Sequence, residues 1–94
     1  MMTNKPLNFK TVESLRKHML LTTSNMSKLF GVSRMTYYGW VRGNKIRDKN
    51  DKKVREILSF LLDVMKEGWP APEVIAMEQK YRFERLLEIV QEKR

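Results

Sequence analysis

Apolar residues recur at helical spacing along most of this chain, and no segment alternates apolar and polar positions as a strand would. Val12, Leu15 and Met19 fall at i, i+3 and i+7, with Leu20 widening the stripe, and predict a first helix over 9–20. Asn8 can cap it, and Leu7 and Val12 can form a hydrophobic staple across its start. A second, short helix fits 23–30, capped by Thr22 and carrying Met26, Leu29 and Phe30 on its apolar side. Gly31 stops it, because glycine takes the left-handed backbone without steric penalty. Ser33 caps a third helix over 34–41, and Gly43 ends that one. Asn50 or Asp51 can start a fourth helix that runs to about Glu67 on Val54, Ile57, Leu58, Leu61, Leu62 and Met65. The tract "GWPAP" breaks the pattern at 68–72, and Pro72 opens a fifth helix over 73–92. The pattern predicts an all-α fold of about five helices.

The fifth helix changes the picture of organisation. Ile75, Phe83, Leu86, Leu87, Ile89 and Val90 lie on one broad arc, with Val74, Met77 and Tyr81 off it. That is more apolar surface than one contact on a small domain covers. The organisation expected is therefore a flexible arm over 1–8, a compact domain over 9–67, and a C-terminal helix over 68–94 that dimerises through Ile75, Phe83, Leu86, Leu87 and Val90. The competing expectation is that this helix folds back and completes a small core.

Composition narrows the class. The chain has 94 residues, no cysteine and one histidine, His18, which excludes disulfides and argues against a zinc finger. No apolar run approaches the roughly 20 residues that span a bilayer, and "MMTNKPLNFK" has no signal-peptide core. A cytoplasmic protein without membrane contact is expected. The formal net charge is +8, but its distribution says more. Residues 1–53 hold 12 Lys/Arg and 3 Asp/Glu, whereas residues 54–94 hold 7 and 8. A basic first half suggests an electrostatic footprint for an anionic partner, or simply a well-solvated surface.

Catalysis finds no foothold. The lone histidine sits in an ordinary amphipathic helix, so neither a Cys–His nor a Ser–His–Asp arrangement is indicated. Gly31, Gly39 and Gly43 follow no strand and make no phosphate-cradling loop. The acids of the last helix alternate with Lys80, Arg82 and Arg85 as on a solvated face. No cofactor, metal or small-molecule ligand is expected, and the protein reads as a binding protein.

Two short helices joined at Gly31, with Tyr37 and Trp40 returning to one side a turn apart, have the spacing of a helix-turn-helix. Arg34, Met35, Tyr38 and Gly39 are then expected to face outward. The stretch "TTSNMSKLFGVSRMTYYGWVRG" resembles the Cro/repressor-type, lambda-repressor-like helix-turn-helix of phage repressors and the xenobiotic-response-element-like group. Thr22 and Thr23 stand at its Thr–Gln start, Met26 and Ser27 at the apolar-small pair, and Gly31, Val32 and Ser33 at the turn. Tyr37 takes the aliphatic place in the recognition helix, and Trp40 and Gly43 complete the pattern. Two departures are visible. Thr23 replaces the usual Gln, and Gly39 sits inside the recognition helix at a cost of up to about 1 kcal/mol relative to Ala.

The resemblance implies a regulator, of the phage-repressor kind, that reads double-stranded DNA with helix 34–41 in the major groove. Arg34 could pair with guanine, Met35 press on a thymine methyl, and Tyr38 reach a base or phosphate, while Gly39 could bring the backbone close to DNA or be tolerated simply because packing covers it. Thr23, Lys28, Ser33, Thr36, Arg42, Lys45 and Arg47 are the implied phosphate contacts. A homodimer on a palindromic operator is the implied assembly. Rival expectations are a recombination-directionality or architectural DNA protein, an antitoxin whose last helix binds a toxin, and a protein-interaction module whose basic half meets an acidic partner.

Overall fold

The computed structural model describes residues 7–93; of the arm expected over 1–8, all but Leu7 and Asn8 lies outside the described residues. The fold is all-α, and the described residues form six helices where about five were expected: α1 (Phe9–His18), α2 (Thr23–Phe30), α3 (Arg34–Val41), α4 (Asp48–Lys66), α5 (Pro72–Ile75) and α6 (Gln79–Lys93). No helix among the described residues is long and apolar enough to cross a membrane.

The local chemistry explains most of the boundaries. Asn8 accepts from the Lys10 N–H at 2.9 Å and caps α1. Thr22 caps α2 by accepting from the Asn25 N–H at 2.9 Å, while Asn25 Oδ1 accepts from the Thr22 N–H at 3.0 Å, a reciprocal capping box. Ser33 caps α3 through the Thr36 N–H at 3.1 Å. Gly31 closes α2 at φ +71°, with its N–H on Lys28 O and that of Val32 on Ser27 O. An added Cβ there would also lie 2.6 Å from Lys53 Nζ, which reaches over from α4.

The end of α1 uses the same hydrogen-bond pattern with the wrong residue. Leu20 N–H bonds Lys17 O and Leu21 N–H bonds Arg16 O, which puts Leu20 at φ +63° where glycine is usual. A non-glycine residue there costs about 1–2 kcal/mol. Its surroundings must therefore hold it.

The first turn of α4 begins at Asp48, before the expected Asn50 or Asp51, and has no side-chain cap. Asp48 and Asp51 supply negative charge to that terminus instead, where the helix dipole favours it.

The C-terminal third departs most from expectation. The single helix expected over 73–92 is two, because the chain bends between Ala76 and Glu78. Arg82 fills the bend, donating to Val74 O at 3.2 Å, Ile75 O at 3.3 Å and Met77 O at 2.8 Å. Val74 O also accepts from the Met77 N–H at 3.0 Å, whereas Ile75 O and Met77 O depend on Arg82 at this helix end. After the bend, α6 folds back against α4, whose Val54, Ile57, Leu61 and Val64 are buried. Trp69, Val74, Phe83, Leu86 and Val90 join the same core as Met19, Met26 and Tyr37. Gly68 thus marks a bend within one core, rather than a boundary between two parts.

This corrects the expected dimer face. Phe83, Leu86 and Val90 are buried within the chain, and half-buried Leu87 packs against the same core. Of the five residues expected to dimerise, Ile75 alone is exposed. Most of the apolar surplus counted along the helix is taken up by the fold-back on α4 and by the burial of Val74, while Ile75 and Tyr81 stay exposed.

Candidate nucleic-acid interface

The surface of α3 is set from beneath. Tyr37 and Trp40 lie one turn apart on its inner side and are nearly inaccessible. Phe9 of α1 meets Tyr37 edge-on at 6.2 Å and Trp40 at 5.6 Å, while Phe30 of α2 stacks on Tyr37 at 6.1 Å and tilts against Trp40 at 6.3 Å. Two rings on α3 held between one ring on each neighbour leave it little freedom to rotate about its axis. Tyr37 and Trp40 are core residues and not platforms for bases.

A polar anchor reinforces the aromatic one. The Tyr37 hydroxyl donates to Glu13 Oε2 at 2.6 Å, and Arg16 grips the same carboxylate with two bonds of 2.9 Å. Arg16 also donates to Leu21 O at 2.9 Å, so one cluster joins α1, the α1–α2 turn and α3. The Arg16 guanidinium holds the Glu13 carboxyl below its ordinary range, against the opposing effect of burial, with the Tyr37 hydroxyl assisting. Burial, with Glu13 beside it, pushes the Tyr37 phenol well above its ordinary range, so it stays a donor. A carboxyl depressed in the folded state contributes stability above its unfolded value, near 4.3, and loses it as pH falls through the folded value. Glu13→Gln is accordingly expected to cost about 1–3 kcal/mol at neutral pH. It should also flatten the acid limb of stability against pH, measured by urea unfolding from pH 7 down to pH 3. An unchanged acid limb would exclude Glu13 from that loss.

With α3 fixed, its outer residues follow. Arg34, Met35 and Tyr38 face solvent; Met35 is 81% exposed and Tyr38 41%. Gly39 does not join them. It is buried, and a Cβ on it would lie 2.7 Å from Asn44 Nδ2. After α3 the chain turns back, Asn44 N–H bonds Gly39 O at 2.8 Å, and the Asn44 side chain covers the glycine. Gly39 therefore belongs to a tight return of backbone, and its expected place on the outward face is corrected.

Thr23 and Tyr38 form a pair. Their hydroxyls lie 3.0 Å apart, joining the first turn of α2 to the exposed face of α3. One hydroxyl hydrogen makes that bond and leaves the other to donate outward. The Ser33 hydroxyl accepts from the Thr36 N–H and donates to Thr36 Oγ1 at 3.0 Å, so its first duty is to the helix start.

Three cations lie beside that face. An open groove between α3 and the α3–α4 loop is lined by Ser33, Met35, Thr36, Arg42, Lys45 and Arg47, among others. Arg42, Lys45 and Arg47 are exposed, as is Lys28 on α2. Among the described residues no ion pair engages Lys28, Arg34, Arg42, Lys45 or Arg47. The segment 23–53 holds 8 Lys/Arg against 2 Asp/Glu, a net of +6. An exposed apolar methionine beside an arginine and a hydroxyl pair, rimmed by unneutralised cations, suits a polyanion that also presents apolar and hydrogen-bonding edges.

Three participants were not legible in advance. Asn44 covers Gly39, Lys53 crosses over Gly31, and Asn25 receives a bond from Gln79 of α6 at 2.7 Å. Asn25 carried half a signal, since it stands at the third helical position after a threonine cap; the usual partner there is Glu or Gln. Among the described residues no group of three or more His, Asp or Glu could hold a metal. Comparison of the chain with family models, curated proteins and solved structures gave no match.

Proposed function

We propose that the protein is a transcriptional regulator of the repressor type that binds double-stranded DNA sequence-specifically, with α3 in the major groove. The observation that carries this reading is the exposed set Arg34, Met35 and Tyr38, on a helix fixed in rotation by Phe9 and Phe30 and bordered by cations that have no ion-pair partner among the described residues. A groove reader needs that combination: rigid placement, chemically diverse side chains outward, and positive charge at the flanks. The likeness of residues 22–43 to the Cro/repressor-type helix-turn-helix supports the same conclusion.

Arg34, at the first position of α3, makes the bidentate contact to guanine O6 and N7 in this reading. Met35 contacts a thymine methyl, and the Thr23–Tyr38 pair donates its remaining hydrogen to a base edge or phosphate. Lys28, Arg42, Lys45 and Arg47 neutralise phosphates. A two-fold dimer on an inverted repeat would need a face other than Phe83, Leu86 and Val90, which the core has taken.

The test is selection from random duplex DNA with the purified protein at near-physiological salt, repeated with Arg34→Ala. The wild-type chain should enrich a defined sequence, and the variant should lose discrimination at one position by about 1–3 kcal/mol. Salt-sensitive binding to every duplex without enrichment would refute the reading. An inverted repeat among the selected sequences would establish two-fold binding, and a single half-site would remove it.

A further inference from the structure

The segment after Gly68 reaches the reading surface from behind. Two carbonyls at the α1–α2 turn receive donors from it: Trp69 Nε1 bonds Met19 O at 2.9 Å, and Gln79 Nε2 approaches Leu20 O at 3.3 Å. Arg82 adds a contact to Leu20 O at 3.5 Å. Leu20 is the residue held at positive φ, so its unfavourable backbone is stabilised by side chains some 60 positions later in sequence.

Gln79 does more than hold that turn. Its Nε2 donates to Asn25 Oδ1 at 2.7 Å, and the same oxygen accepts the Thr22 N–H that completes the α2 capping box. Gln79 Oε1 in turn accepts from Arg82 Nη1 at 3.0 Å, and Arg82 is fixed by the α5 carbonyls. A continuous run of hydrogen bonds and adjacent residues therefore leads from α5 through Arg82, Gln79 and Asn25 to Thr22 and Thr23. It ends at the Tyr38 hydroxyl on the outer face of α3.

We propose that Gln79 is a positioning residue for the DNA-reading surface: by fixing Asn25 it sets the start of α2, and so places Thr23 and the Tyr38 hydroxyl. The proposal rests on the DNA-binding reading for its consequence, but its geometry can be tested without DNA. A half-buried amide at the first position of α6 would otherwise be replaceable by any helix former. Here its donor is shared between a strained turn and a helix cap. Asn25 is 7% exposed, so without Gln79 its Oδ1 would keep the Thr22 N–H but find little water for its second acceptor site.

The test uses the full chain with Gln79→Met, which keeps length and removes both polar atoms, and Gln79→Glu, which keeps the acceptor for Arg82 and removes the donor. The first readout is the amide, aromatic and methyl NMR spectrum. Both variants should move the Thr22, Thr23 and Asn25 amides and the Tyr38 ring while leaving the Leu61 and Leu86 methyls in place. Should one variant fail to fold, the other decides. The second readout is binding to the duplex that the wild-type chain enriches. Affinity should fall about five- to tenfold with an unchanged salt slope for Gln79→Met, because no cationic phosphate contact is lost. Perturbation confined to Leu20 and Arg82, with Thr23 and Tyr38 unmoved, would overturn the proposal. So would movement at Tyr38 with unaltered specific affinity. If the wild-type chain enriches no duplex, the DNA-binding reading falls on that result, and the placement of Thr23 and Tyr38 is still decided by the spectra.

Discussion

Leu86→Ala is expected to destabilise the protein by about 2–5 kcal/mol, to the same extent at low and at high protein concentration. Leu86 is fully buried between α6 and the rest of the core, and alanine would remove most of its side chain from a site closed on every side. The loss combines the transfer free energy of the missing methyl and methylene groups with the cost of the cavity left behind. Total stability of a domain this size is about 5–15 kcal/mol, so the variant would melt far earlier or populate the unfolded state. Denaturant unfolding followed by circular dichroism at two concentrations checks the prediction. A residue at a dimer face behaves otherwise: truncation weakens association, and the apparent stability then depends on concentration. A concentration-dependent loss would return Leu86 to an interface. Ile75→Ala, on an exposed position, should change stability little in either case.

The contrast between Leu86 and Ile75 shows where sequence reasoning reached its limit. Spacing identifies the apolar arc of the last helix, but an arc carries no label for what covers it. Whether α4 or a second chain is the cover depends on the bend at Ala76–Glu78. That bend depends on Arg82 finding carbonyls five to eight residues upstream. Such bonds form only in the folded chain. By contrast, α2 and α3 were legible almost to the residue, because their ends are written in local chemistry: Thr22, Gly31 and Ser33 each satisfy or shape the backbone beside them.

Between these extremes lie Leu20 and Gly39. Nothing in a leucine announces positive φ, since its own steric preference opposes it; Trp69, Gln79 and Arg82 supply the compensation from the far end of the chain. Gly39 lies on the outward arc of α3 by helical periodicity alone. The return of Asn44 across it buries the position, which periodicity within one helix cannot register. The core of the candidate site, Tyr37 and Trp40 within and Arg34, Met35 and Tyr38 without, was legible. Its bracing was not: the partners of Tyr38 and Asn25 stand 15 and 54 positions away in sequence.

The steepest functional response is expected from salt. Arg42, Lys45 and Arg47 line the groove beside α3 and Lys28 is exposed on α2; these four are the proposed phosphate contacts, and none has an ion-pair partner among the described residues. Unpaired, each can neutralise one phosphate without first breaking an intramolecular contact. Each such contact releases condensed counterions, so the observed affinity falls with salt at a logarithmic slope of about −0.9 per phosphate. Four contacts per chain imply a loss of roughly 100-fold between 50 and 200 mM salt. Lys45→Ala should flatten the slope by about one and weaken every duplex nearly equally, since a phosphate contact carries no sequence information. Arg34→Ala should do the reverse in kind, weakening the selected duplex far more than a random one. Titration of a labelled duplex by fluorescence anisotropy across that salt range measures both. A slope near zero would mean that these cations do not meet phosphates. The basic side of the molecule would then serve another partner, whatever α3 itself contacts.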